Sequence, residues 1–205
     1  MMKKKWMACA LAVMAVISGC GNAGSKEAQP AASSAGTVQA GSGSSSGKKA
    51  LVVYYSWSGN TRKVAEDIQK ETGADMFEIV PEKAYPTAYQ ETVDLARKEQ
   101  AEKARPAIRG RIDNIGQYDV IYLGYPNWWG DMPMVLYTFL ESYDLSGKTI
   151  APFCTSGGSG LSDTVNAIKG LEPKAAVTEG FHIYGSQADS AAQAVHDWLM
   201  KAGLL

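Results

Sequence analysis

From Lys48 onward, apolar positions alternate between two periods. Five short segments read as strands, at 50–55, 75–80, 118–125, 148–154 and 177–184, the second and fifth with polar residues interspersed. Between and after them, apolar residues recur at helical spacing. Val64, Ala65 and Ile68 line a helix that ends at Gly73. Tyr89, Val93 and Ala96 mark a charged helix over 88–103, with Tyr89 expected in the core. Val135, Leu136, Phe139 and Leu140 give a third helix its buried face, with Asp131 as its cap and Pro133 in its first turn. A fourth covers 161–170, and Ala188, Ala191, Ala192, Val195, Trp198 and Leu199 mark the last.

Strands alternating with helices predict an α/β fold of three layers, a parallel sheet covered by helices on both faces. The runs at 50–55 and 118–125 are the most apolar and belong in the centre of the sheet. Those at 75–80 and 177–184 carry more polar residues and fit the edges. Both conditions are met by a five-stranded parallel sheet in the order 2-1-3-4-5, whose crevice opens where strands one and three diverge. Pro152 conflicts with an interior place for the fourth strand, because it cannot donate to a ladder. The connector at 106–117 carries no clear pattern, and Arg105, Arg109 and Arg111 around it read as solubilising.

The segment before Lys48 has a different character. Lys3, Lys4 and Lys5 precede an apolar stretch, 6–17, that is too short for an ordinary spanning helix. It ends in Ile17-Ser18-Gly19-Cys20, which resembles a bacterial lipoprotein signal, a branched residue and two small ones before the Cys that is acylated. The expected organisation is a signal peptide at 1–19, lipidation at Cys20, a Gly/Ser/Ala-rich tether at 20–47 and one folded domain at 48–205. The protein is thus expected to be exported and held to a membrane on its extracytoplasmic side.

Charge and cysteine content narrow the function. From Lys48 onward, 16 basic and 20 acidic residues leave a formal charge of about −4 with no basic cluster, which argues against nucleic acid. Cys154 stands alone in the domain and reads as a small buried residue. His182 and His196 are isolated, and no His, Cys and carboxylate cluster has metal-ligand spacing.

Three loops at the ends of the apolar runs carry the candidate chemistry. After the first run, Ser56, Ser58, Gly59, Asn60 and Thr61 bring hydroxyls, an amide and a flexible backbone to a helix N-terminus. Free N–H groups and the positive end of the helix dipole there form an anion site, suited to a phosphate. The Gly-x-x-x-x-Gly-Lys-Ser/Thr and Gly-x-Gly-x-x-Gly patterns are both absent. After the third run, Pro126, Asn127, Trp128, Trp129 and Gly130 offer a tryptophan that stacks on a planar ring or plugs the sheet end. After the fourth, Thr155, Ser156, Gly157 and Gly158 allow backbone to approach a ring edge.

The three loops together resemble those of the flavodoxin family, over about 49–203, and the short-chain branch in particular. The resemblance implies a flavodoxin-like fold with flavin mononucleotide (FMN) as cofactor. It implies that Ser56, Ser58, Asn60 and Thr61, with Trp57 and Gly59 between them, bind the phosphate. Trp128 or Trp129 would stack on the flavin, and the backbone of 127–130 and 155–158 would meet its edge. Trp57 and Ser58 depart from the family's usual smaller residue and Thr. The implied activity is electron transfer or reduction of a small acceptor such as a quinone, carried by the flavin with no catalytic side chain and no metal. Tyr85 and Tyr89 could bound a substrate space. The alternative is a non-redox ligand-binding module on the same fold. A phosphate-transfer receiver would need acidic residues where Ser56, Pro126 and Thr155 stand.

Overall fold

The computed structural model describes residues 36–41 and 47–205. The expected signal peptide, Cys20 and most of the expected tether lie outside these residues. Among the described residues no helix is long and apolar enough to cross a membrane.

Strand β1 (Ala50–Tyr54) leads through a short loop into helix α1 (Asn60–Thr72). Strand β2 (Asp75–Glu78) follows, then a short strand β3 (Val80–Pro81), helix α2 (Tyr89–Glu102) and a second short strand β4 (Ile108–Arg109). Strand β5 (Val120–Pro126), helix α3 (Met134–Ser142), strand β6 (Thr149–Ser156) and helix α4 (Thr164–Leu171) come next. The chain closes with β7 (Ala176–Val177), β8 (Phe181–Tyr184), a 3₁₀ turn over Gly185–Ser190 and helix α5 (Ala192–Ala202).

The main sheet runs β2-β1-β5-β6, with β7 and β8 both along the outer edge of β6, and every strand pair in it is parallel. This is the expected order, with the fifth strand broken in two. The break resolves the conflict at Pro152. Thr149 N–H points toward β5, to Asp119 O, whereas Ile150 O faces the edge and accepts from Thr178 N–H. Alternation puts the nitrogen of Pro152 on the edge side, opposite 178–180, where neither β7 nor β8 pairs. The proline therefore interrupts no ladder bond.

Side chains alternate between the two faces, as a doubly covered sheet requires. On one face Leu51, Val53, Phe77, Ile121 and Leu123 pack with Val135, Leu136 and Phe139 of α3 and Ile168 of α4. On the other, Val52, Tyr54, Tyr122 and Phe153 pack with Val64 and Ala65 of α1 and Val195 and Leu199 of α5. Gly124 sits in the middle of β5, and a Cβ there would collide with the ring of Phe153 on the neighbouring strand.

Several local expectations change. The connector at 106–117 contains β4, which pairs antiparallel with β3 and closes the base of the excursion that carries α2. Asp131 does not cap α3; Pro133 holds the cap position, and Asp131 accepts from Met132 N–H and the Tyr137 hydroxyl. Part of the segment read as tether lies against the sheet. Gln39 forms an antiparallel bridge with Met76, Gly41 N–H donates to Asp75 Oδ1 at 2.8 Å, and Val38 packs on the core. These residues cover the outer edge of β2, which the sheet would otherwise present unpaired.

Replacing Gly124 by Ala forces a methyl group against Phe153. The variant is expected to lose about 1–3 kcal/mol of unfolding free energy in denaturant titration, without loss of the parallel-sheet circular dichroism signal.

Candidate functional site

Parallel strands end at one edge of the sheet, so the loops after β1, β5 and β6 open side by side. Between them lies a cleft of about 760 Å³. Trp57, Ser58 and Asn60 line it from the first loop and α1, and Pro126, Asn127, Trp128 and Trp129 from the second. Thr155, Ser156, Gly157 and Ser159 line it from β6 and the third loop. Ten of the residues singled out by sequence thus meet in one space. Ser56, Gly59, Thr61, Gly130 and Gly158 adjoin these residues in the same three loops.

The polar end is built on the N-terminus of α1. Gly59 takes the cap position in the left-handed region (φ 90°) and supplies no side-chain cap bond. Among the described residues the backbone N–H groups of Ser58, Gly59, Asn60 and Thr61 donate to no protein acceptor. Ser58 is exposed beside them. Four unsatisfied donors and the positive end of a helix make this a place for an anion. The nearby cations are engaged elsewhere, Arg62 with Glu78 and Lys63 with Asp189. Neutral donors therefore carry the site.

Two residues expected on the anion also brace the frame. Ser56 Oγ accepts from Arg62 N–H at 3.2 Å, which turns the chain into α1. Thr61 is buried, and its hydroxyl bonds that of Thr155 at 2.9 Å, tying α1 to β6. Asn60 lies across the cleft floor against Gly185, where a larger residue would run into its amide.

The aromatic end has a fixed floor and an open wall. Trp128 meets Tyr85 and Tyr55 edge to face, at 5.0 and 5.6 Å between ring centres. Burial pushes the Tyr55 and Tyr85 hydroxyls well above their ordinary range, and Tyr85 donates to Glu99 Oε2 at 2.6 Å. Burial likewise raises the Glu99 carboxyl, against the lowering effect of that bond. Trp129 is half exposed, with φ 56°, an unusual conformation for a large residue that costs of order 1 kcal/mol. It is held there by its indole N–H, which donates to Val93 O at 3.0 Å, and by the Arg97 guanidinium 4.9 Å above its ring. Arg97 itself does not line the cleft.

Asn127 joins the second and third loops. Its amide donates to Gly160 O and Ser162 Oγ, both at 2.9 Å, and its Oδ1 accepts from Gly130 N–H. Thr155 and Ser156 belong to β6 rather than to the loop, because β8 extends the pairing to Ser156. Cys154 is buried beneath them, and burial pushes its thiol up to about 12, the inert side of the thiol range.

Of the two places expected for Tyr89 it takes the one beside the substrate space and not the core, whereas the part of the lining from 92–96 and 184–186 was not expected. Tyr89 is 71% exposed and lines the cleft with Thr92, Val93 and Ala96; the expected core face of α2 is displaced toward Thr92, Leu95 and Ala96. Tyr184, Gly185 and Ser186 complete the polar side. Their only advance signal was a glycine following a strand. His182, read as isolated, bonds Ser156 Oγ through Nε2 at 2.8 Å. The Ser156 oxygen already accepts from Gly158 N–H and Gly160 N–H, so its own proton goes to His182. That bond needs a neutral imidazole with its proton on Nδ1, and burial lowers the His182 pKa accordingly.

The sign of the resulting pH dependence follows from linkage. A His whose folded pKa lies below its ordinary 6.5 favours the unfolded state when protonated, so the anchor is complete above that pH and is lost below it. Stability is expected to fall as pH drops from 7 toward 5. His182→Gln keeps an acceptor but does not titrate, and thermal unfolding across that range should show a shallower slope for it than for the parent protein.

Solved flavoproteins share this fold. A structure from Lactobacillus acidophilus NCFM, a flavoprotein in complex with FMN, is 31% identical over 70% of this chain and 97% of its own, with a TM-score of 0.58. A protein from Bacteroides eggerthii DSM 20697, designated a flavoprotein, is 33% identical over 77% of this chain and 99% of its own, with a TM-score of 0.69. Another so designated, from Bacteroides uniformis ATCC 8492, is 30% identical over 75% and 99%, with a TM-score of 0.68. The family model described as flavodoxin matches residues 49–202, all three loops included, and the chain belongs to the flavodoxin family.

Proposed function

We propose that this protein holds FMN in the cleft and passes electrons through it to a small acceptor of the quinone kind. The observation that carries the reading is the row of four free N–H groups beside exposed Ser58, opening directly onto an aromatic wall. A phosphate and a flat ring, joined by a flexible polar chain, match those two ends. The relative from Lactobacillus acidophilus crystallised with FMN supports the assignment.

The N-terminus of α1 takes the phosphate dianion with backbone N–H groups, and Ser58 adds a hydroxyl. Asn60 and Ser186 face the polar middle of the cleft. Trp129 supplies the stacking face, because Trp128 is already locked edge-on between Tyr55 and Tyr85. The cross-links from Asn127 hold the second and third loops at a fixed separation around the ring edge. Bound FMN supplies the redox chemistry, taking up and releasing one or two electrons. Among the described residues no ionisable side chain other than tyrosine lines the cleft, so protons reach it from solvent.

The sequence at 17–20 supports a second part of the reading, attachment to the outer side of a membrane through lipid on Cys20. A quinone dissolved in or near that membrane is then within reach of the domain.

Titration of the apoprotein with FMN tests the site. A hydrogen bond to a charged group contributes about 1.5–3 kcal/mol, so Ser58→Ala should raise the dissociation constant roughly 10- to 100-fold. Trp129→Ala should leave bound flavin more fluorescent, whereas the same change at Trp128 should chiefly lower stability. An apoprotein that takes up no FMN would overturn the assignment. For the anchor, Cys20→Ser should move the protein from the membrane fraction to the soluble exported fraction and abolish labelling with radioactive palmitate.

A further inference from the structure

We propose that Tyr89, at the start of α2, selects the electron acceptor, and that the acceptor it selects is an uncharged planar ring; the inference rests on FMN occupying the cleft as above. The cleft divides by chemistry. Donors for an anion gather at the α1 end, and the wall opposite is Trp57, Tyr89, Val93, Ala96 and Trp129. No Asp, Glu, Lys, Arg or His side chain among the described residues lines any part of it. Once the α1 terminus holds one phosphate, nothing in the lining recognises a second charged group. A charged acceptor would be desolvated there without a partner, whereas a neutral ring loses nothing.

Helix α2 carries two overlapping stripes, which share Thr92 and Ala96. Thr92, Leu95 and Ala96 face the core. Tyr89, Thr92, Val93 and Ala96, at i, i+3, i+4 and i+7, face the cleft. Tyr89 contributes nothing to the core. It is 71% exposed, and among the described residues its hydroxyl has no partner and the one aromatic ring beside its own is that of Trp57, at 6.4 Å and tilted by 57°. Of the four exposed large hydrophobic residues among those described, Tyr89, Trp129 and Tyr184 all line this one cleft, which marks a recognition surface rather than scattered exposure.

The wall is also held in place. The indole N–H of Trp57 donates to Pro86 O at 2.9 Å, and that of Trp129 to Val93 O at 3.0 Å. The two loops that flank the cleft thus fix the leading segment of α2 from both sides. Trp57 and Tyr89 form a tilted aromatic corner into which a planar ring can slide. A quinone bound there gains two electrons and two protons and leaves as the hydroquinone; reduced FMN beside it gives up the same and returns to its oxidised form.

The test uses the full chain loaded with FMN. Calorimetric titration of the oxidised protein with 2-methyl-1,4-naphthoquinone, and with 1,4-naphthoquinone-2-sulfonate, reads binding without turnover. Tyr89→Ala should weaken binding of the neutral quinone about tenfold, the loss expected for one stacked ring. Tyr89→Phe should stay within about twofold, as should Met200→Ala, which removes an exposed apolar side chain on α5. The sulfonate should bind no better than the neutral compound. After dithionite reduction, reoxidation by subsaturating neutral quinone should slow in Tyr89→Ala by the same factor, while reoxidation by ferricyanide, which needs no seat in the cleft, should not change. Unaltered quinone binding in Tyr89→Ala, tighter binding of the sulfonate, or no quinone binding to the parent holoprotein would each overturn the proposal. So would an equal loss of FMN affinity in Tyr89→Ala, which would make Tyr89 part of the cofactor seat. A parent protein that fails to take up FMN is recognised from its absorption spectrum before any quinone is added; that result overturns the cofactor assignment and this inference with it.

Discussion

Parallel strands deliver their C-terminal ends to the same edge of a sheet, and the pairing of β1 with β5 uses this to assemble the site. The register that sets Tyr54 beside Gly124 places the N-terminus of α1 next to the tryptophan loop, although some seventy residues of chain separate them. Adding β6 on the far side of β5 brings Thr155 opposite Pro126 and the glycine loop alongside. The hydroxyl pair of Thr61 and Thr155 then locks α1 to β6. A side chain larger than hydrogen at 124 would push β5 and β6 apart, so the close approach of Gly124 and Phe153 underlies this arrangement.

The cleft combines an anion seat without a cation and an aromatic wall without a charge. Both follow from how the surrounding charges are spent. Arg62 closes on Glu78, Lys63 on Asp189 and Arg105 on Glu141. Arg97 sits against the Trp129 ring and is not among the residues lining the cleft. The chemistry left to the lining is hydrogen bonding by neutral groups and stacking. Such a site positions a cofactor that brings its own reactivity.

Helix α2 occupies an unusual place in the fold. It buries only Thr92 and Ala96, and it leaves and rejoins the sheet through the small ribbon of β3 and β4. Its position is set by contacts from the cofactor loops as much as by the core. Changes in α2 can therefore alter what the cleft admits while the sheet and the anion seat stay intact.

Much of this was legible in the amino-acid sequence. The strongly apolar runs at 50–55 and 118–125 call for the middle of a doubly covered sheet, so their central place followed from burial. The hydroxyl, amide and glycine content after the first strand marked a helix N-terminus open to an anion. Other features depended on partners distant in sequence. What stands across the sheet decides which hydroxyls also brace the frame, as Ser56 does on Arg62 N–H and Thr61 on Thr155. The tolerance of Pro152 required the fifth strand to break opposite it. His182 gained its role only when β8 paired with β6 and set it within reach of Ser156. Helical periodicity showed that α2 is amphipathic, but the stripe of Tyr89 and Val93 is equally apolar toward core or cleft. Only the packed structure, in which Leu95 takes the core side, could turn Tyr89 outward.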